Sequence, residues 1–84
     1  MYKVFVTESA QKQLRSLPKK EIPAILATIR SFTENPRPHH CKKLIGAVDQ
    51  YRAREGDYRI IYTIDDKAKE VTIFRVRHRR EAYR

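Results

Sequence analysis

A single cysteine, Cys41, excludes an intramolecular disulfide and points to a reducing compartment. It also leaves little for a metal site to draw on. His39, His40 and Cys41 are contiguous, but no second cluster stands elsewhere at metal-ligand spacing, so these three read as structural or incidental. Only two glycines and four prolines in 84 residues argue against a linker-rich or low-complexity chain, and no internal repeat is visible. No apolar run approaches a membrane span, and the one within MYKVFVTESA is too short for a secretory leader. The expectation is a cytoplasmic protein without membrane contact.

Acidic residues are also scarce. Ten Asp and Glu stand against 19 Lys and Arg, giving a formal charge of +9 and a pI near 10.1. The excess is spread, +5 over residues 1–50 and +4 over residues 51–84. Such a field attracts polyanions and binds nucleic acid non-specifically at low salt, and an acidic protein partner satisfies it equally well. It is densest at the end of the chain, where five of the ten residues in RVRHRREAYR are arginine.

The size suits one small domain, residues 1–84, with a single modest core. YKVFV (2–6) is β-rich and reads as a first strand. Thr7 offers an N-cap, and Ala10, Leu14 and Leu17 follow at helical spacing until Pro18. A second helix carries the apolar stripe Ile22, Ile25, Leu26, Ile29 and Phe32. Pro23 is tolerated in its first turn, and Glu34-Asn35-Pro36 stops it. Residues 37–50 connect, with a short edge segment around Lys43–Ile45. Three strands then follow at 51–54, 58–64 and 70–77, separated by Glu55-Gly56-Asp57 and by residues 65–69. The expected class is α+β, in the order β-α-α-β-β-β: an antiparallel sheet with an N-terminal helical hairpin packed on one face.

Period-2 sorting divides the strands by face. Tyr51, Ala53, Tyr58, Ile60, Tyr62 and Ile64 are assigned to the helices, together with Thr72, Phe74 and Val76 of the last strand. The opposite face then collects Arg52, Arg54, Arg59, Arg75 and Arg77. A neutral surface would mix signs across strands, because like charges directly opposed are destabilising. Arginine presents a planar fork suited to phosphate, so the pattern favours an anion-binding face over an ordinary solvated one.

YRAREGDYRIIYTIDDKAKEVTIFRVRHRREAY resembles the C-terminal half of the RelE/ParE superfamily of bacterial toxins of type II toxin–antitoxin systems. The carrying features are the YR-x-R-x-G-D-YR-I-I-Y strand pair and the closing HR-x-x-x-Y, with A-x-x-x-L-x-x-LP in the first helix. The RelE-like branch implies a ribosome-dependent mRNA endoribonuclease acting in the ribosomal A site. The implied chemistry needs no metal and no cofactor: the ribose 2′-OH attacks the adjacent phosphate, leaving a 2′,3′-cyclic phosphate. The resemblance places Arg52 and Arg54 where members carry basic residues, usually lysines, beside the scissile phosphate. It makes Arg59 the transition-state stabiliser and Arg79 the later arginine acting as acid or clamp, with Arg77 as its alternative. Tyr83 becomes the closing tyrosine that stacks on or orients substrate, and His78 an additional proton-transfer candidate.

Arginine at 52 and 54 cannot readily accept a proton near neutrality. The base is then His78, Tyr83, a carboxylate such as Glu55, or a group of the ribosome. Two other readings stand beside the nuclease. One is a ParE-like inhibitor of DNA gyrase that shares the fold without a catalytic constellation. The other is a toxin of weakened activity or a simple nucleic-acid-binding module. Either toxin reading implies an acidic antitoxin that covers the apolar groove. It would mask Arg52, Arg54 and Arg59 or displace the tail around Tyr83.

Overall fold

The computed structural model describes residues 1–44, 46 and 49–78. In chain order it contains β1 (Lys3–Val6), α1 (Glu8–Arg15), a 3₁₀ turn (Lys19–Glu21), α2 (Ile22–Ser31), β2 (Cys41–Lys43), β3 (Gln50–Glu55), β4 (Tyr58–Asp65) and β5 (Glu70–His78). The strands form one sheet in the order β1-β5-β4-β3-β2. It is antiparallel from β5 to β2, and β1 adds a parallel edge against β5, from Lys3 opposite Glu70 to Val6 opposite Ile73. The edge segment expected around Lys43–Ile45 forms two residues earlier, at Cys41–Lys43. Among the described residues, no helix is long and apolar enough to cross a membrane.

Local chemistry accounts for the helices. Thr7 sits in extended geometry and its hydroxyl accepts from the Ala10 amide at 3.2 Å, closing the N-terminus of α1. Glu8 in the first turn and Lys12 and Arg15 in the last complement the helix dipole. Pro23 lies in the first turn of α2, where the missing amide leaves no hydrogen bond unmade. The core gathers Ala10 and Leu14 of α1 and Ile25 and Ile29 of α2 with Phe32, against Tyr51, Ala53, Tyr58, Ile60, Tyr62, Ile64, Val71, Ile73 and Val76 of the sheet. At its centre Phe32 stacks on Tyr62, ring centroids 4.4 Å apart, and Tyr51 lies 6.0 Å from Tyr62 on the same side. The Tyr62 hydroxyl donates to the Pro36 carbonyl at 2.7 Å, which satisfies it in the interior.

One part of the expected face assignment is corrected. Val71 and Ile73 of β5 are fully buried, whereas Thr72 and Phe74 are only half-buried. The cause is a β-bulge. Ile61 pairs with Arg75 but Tyr62 pairs with Ile73, so Phe74 is an extra residue in β5 and the pleat changes phase across it. Val76 faces the core and Arg75 and Arg77 oppose it, as alternation had them. The apolar side chains before the bulge change sides.

A polar clasp closes the end of the molecule away from the β3–β4 turn. Arg37, in the α2–β2 connection, makes a forked contact with Asp66 at 2.8 and 3.1 Å, and its Nε donates to the Tyr51 hydroxyl at 3.2 Å. The Tyr2 hydroxyl donates to the same carboxylate at 2.8 Å. These donors hold the Asp66 carboxyl down to about 2, from 3.8. Because this pKa is depressed in the folded state, the stability it contributes is present above about pH 4 and is lost as pH falls toward 2. Asp66→Asn should therefore lower the thermal midpoint at pH 7 and blunt its dependence on pH between 4 and 2, read by circular dichroism. Phe32→Ala, by contrast, should cost about 3–5 kcal/mol at any pH, read as a fall in the urea midpoint.

Candidate anion-binding face

The β3–β4 turn sets the geometry of the open face. Its loop has only two residues, Gly56 and Asp57, so Glu55 closes against Tyr58 and Arg54 falls directly opposite Arg59. The first position of so short a loop calls for positive φ, which Gly56 supplies at +58°. On the far side of β4 the register beyond the bulge puts Arg77 opposite Arg59. Arg54, Arg59 and Arg77 thus form one row across three adjacent strands. The next row toward the bulge is Lys42, Arg52, Ile61 and Arg75.

Neighbouring strands lie about 4.8 Å apart, so each row is a line of cations at roughly the spacing of a single sheet step. Arg59, at the centre, is 2% exposed, Arg52 and Arg77 are half-buried, and Arg54 is exposed. Farther along, the same face turns neutral, through Phe5, Thr72, Thr63 and Gln50 in register. The charge is thus concentrated at one end. At the β2 edge, His40, Lys42, Arg52 and Arg54 line a cleft of about 220 Å³. The planar forks and their alignment suit an extended polyanion lying across the strands, with phosphate oxygens accepting from several guanidinium groups.

The other nominated residues lie elsewhere. His78 pairs with Tyr58 across the strands, and the two rings meet edge to face at 5.3 Å. Both line a cavity of about 320 Å³ with Val76 and with Gln13, Ser16, Leu17 and Pro18, which puts His78 on the helix side of the sheet. Glu55 also faces the helices, and its carboxylate accepts from the Thr28 hydroxyl of α2 at 2.6 Å. Arg79 and Tyr83 lie outside the described residues. Lys42 and His40 join the arginines unforeseen. The signal for them was the parity of β2, which the expected placement of the edge segment at 43–45 obscured.

A shallow apolar groove of about 240 Å³ runs between the helices, lined by Gln11, Leu14, Arg15, Ile22 and Leu26. It lies on the opposite layer from the arginine rows.

The sequence and the fold both have relatives. The model of a family described as the ParE toxin of type II toxin–antitoxin system, parDE, matches residues 4–83. Toxin RelE of Mycobacterium tuberculosis is 34% identical over 88 aligned residues, covering 99% of this chain and 87% of that protein. Toxin RelG of the same organism is 36% identical over 92, covering 99% and 97%. Among solved structures, the archaeal RelE–RelB complex from Pyrococcus horikoshii superimposes with a TM-score of 0.79 at 37% identity, covering 93% of this chain and 94% of that one. A RelBE toxin–antitoxin complex from M. tuberculosis gives 0.80 at 31%, covering 92% and 96%.

If the rows carry phosphates, polyanion affinity must depend steeply on salt. Titrating a single-stranded RNA oligomer at several salt concentrations should give a log–log slope that Arg54→Ala and Arg77→Ala each reduce by about 0.7. Lys67→Ala, in the β4–β5 turn, should leave the slope unchanged.

Proposed function

This chain belongs to the ParE toxin family of type II toxin–antitoxin systems, and from that premise we propose that it is a ribosome-dependent mRNA endoribonuclease neutralised by an acidic antitoxin. The observation that carries this reading is the row Arg54–Arg59–Arg77, flanked by Arg52 and Arg75. Cleavage of RNA by its own 2′-OH passes through a phosphorane with more negative charge than the ground state. Cations fixed in place before that charge develops stabilise it selectively. Arg59, at 2% exposure, is the most buried of them.

In this reaction the 2′-oxygen forms a bond to phosphorus, the bond to the 5′-oxygen breaks, and the products are a 2′,3′-cyclic phosphate and a 5′-hydroxyl. Arg59 and Arg77 hold the non-bridging oxygens, and Arg52 and Arg54 hold the backbone beside the scissile step. Arg79 as acid or clamp and Tyr83 as the stacking ring complete the proposal from the closing HRREAY segment. No metal takes part in it.

The antitoxin follows from the same charge. The solved relatives named above include RelE–RelB complexes. By the same logic an acidic segment from the partner masks Arg52, Arg54 and Arg59, while an apolar helix face fills the groove beside Leu14, Ile22 and Leu26. A gyrase inhibitor of the same family fold would also want cations, so the two readings part at the chemistry and not at the charge.

A pulse of expression without antitoxin separates the two. The nuclease reading expects a rapid stop in amino-acid incorporation, with new 5′-hydroxyl ends mapped inside translated mRNA. Arg59→Ala and Arg77→Ala should each suppress the cuts by 10²-fold or more. Arg77 is the safer of the two for folding, because it is only half-buried. Intact mRNA with halted thymidine incorporation would instead identify gyrase as the target.

A further inference from the structure

The arginine rows supply charge but no proton acceptor, and the reaction proposed above needs one for the 2′-OH. Guanidinium cannot serve near neutrality. The two described nominees for the role, His78 and Glu55, sit on the helix side of the sheet, the first against Tyr58 and the second held by Thr28. On the open face itself, the β2 edge brings an imidazole to the cations. Lys42 pairs with Arg52 and Cys41 with Ala53, and His40 lies in the turn that enters β2, closed by the Cys41 amide donating to the Pro38 carbonyl at 2.9 Å. His40 is exposed, and it lines the 220 Å³ cleft with Lys42, Arg52 and Arg54.

The geometry points to His40 as the general base of this site, a catalytic residue that takes the 2′-OH proton while Arg54 and Arg59 hold the adjacent phosphate. The inference rests on the nuclease reading and deepens it. From the β2 edge, where His40 lines the cleft, β4 and Arg59 are about two strand steps, roughly 10 Å, away, and Arg54 of β3 stands between them to hold the phosphate. The proton leaves O2′ for an imidazole nitrogen as O2′ bonds to phosphorus. The 5′-oxygen departs and takes a proton from water, and the imidazolium then returns its own to water. No oxidant, reductant or co-reactant is required.

The groups facing His40 are Lys42 from β2 and Arg52 and Arg54 from β3. His39 lies beside it, ring centroids 5.5 Å apart and edge to face, and does not line the cleft. His40 is the one imidazole among the residues that line the cleft. His39 provides the control.

The test is single-turnover cleavage of a defined mRNA on a programmed 70S ribosome, followed from pH 5.5 to 8.5, with ribosome binding measured separately. His40→Gln should lower the cleavage rate by about 10²–10⁴-fold, leave binding within about threefold, and remove the acidic limb of the pH–rate profile. Added imidazole should restore part of the rate to His40→Gly, an effect that a merely structural role would not produce. His39→Ala should cleave like the wild type. Circular dichroism of each variant shows that the fold is intact, which an exposed position makes the expected result.

If His40→Gln cleaves within threefold of wild type with the same pH profile, or if His78→Ala alone abolishes the acidic limb, His40 is not the base and the nuclease reading survives. If the wild type itself leaves the mRNA whole on saturating ribosomes, the nuclease reading fails and the base assignment goes with it.

Discussion

The extra residue in β5 is the constraint on which both faces of this sheet depend. Val71 and Ile73 must enter the core, while Arg75 and Arg77 must not. All four have the same parity, so an unbroken strand would bury two guanidinium groups beside Tyr62 and Ile60 or expose two aliphatic side chains. Burying an uncompensated charge costs several kcal/mol, far more than a bulge. The shift at Phe74 resolves the conflict by changing the phase of the pleat within one strand. It also fixes which residue lies across from Arg59. Without the shift, the central cation of the open face would have no cationic neighbour on β5 in register. Past the end of β1, opposite Ile73, Gln13 of α1 accepts from the Val76 amide at 2.7 Å and supports the strand after its change of phase.

The two ends of the molecule treat charge in opposite ways. Around Asp66, the carboxylate accepts from the Arg37 guanidinium and the Tyr2 hydroxyl while Arg37 also donates to the Tyr51 hydroxyl, a local clasp that ties the residue before β1, the α2–β2 connection and β3 to the β4–β5 turn. Toward the β3–β4 turn, arginines stand opposite one another across three strands. Like charges paired across strands oppose folding, and the aromatic stack of Phe32, Tyr62 and Tyr51 lies behind the sheet to offset them. A face built in this way gains the most from an anion brought from outside. Any ligand that binds the folded chain alone stabilises it in proportion to the logarithm of its concentration. An acidic partner and an RNA phosphate backbone would therefore stabilise the same structure, and they would compete for the same row.

Much of this was legible in the sequence because it rests on periodicity. The stripe Ile22, Ile25, Leu26, Ile29, Phe32 specifies α2 and its buried side, and the alternation from Tyr58 to Ile64, interrupted at Ile61, specifies β4. The turn was expected over Glu55-Gly56-Asp57, but Glu55 pairs with Tyr58, and the resulting two-residue loop is what sets Arg54 opposite Arg59. The parallel pairing of β1 was not legible, since four residues of alternating pattern identify a strand and not its neighbour. Nor was the bulge: TIFRVR alternates plausibly in either phase, and the choice between Ile73 and Phe74 is made by the space beside Tyr62 rather than by β5 itself. Three residues of β2 are too short for a pattern. With that strand expected two residues later, Lys42 was read as part of a connection instead of the sheet edge, and His40, in the turn before it, was not set beside the arginines.

That displacement bears on how a scaffold shared by nucleases and pure binders should be read. A binder that docks on an anionic surface needs charge and shape, and arginine supplies both at positions 52, 54, 59 and 77. A ribonuclease needs in addition one group on the same face that can give up its positive charge near neutrality, because the 2′-OH must lose a proton as it attacks. Arginine in place of lysine makes that demand sharper, since lysine can be driven neutral by its surroundings and arginine cannot. The more completely a site of this kind is built from arginine, the more its chemistry must be borrowed from an edge, a tail or the substrate's own host. In this chain the turn that enters the edge strand places an imidazole in the cleft beside the rows. On the nuclease reading proposed above, the distinction between cutting and merely holding RNA would turn on a residue at the margin of the arginine face.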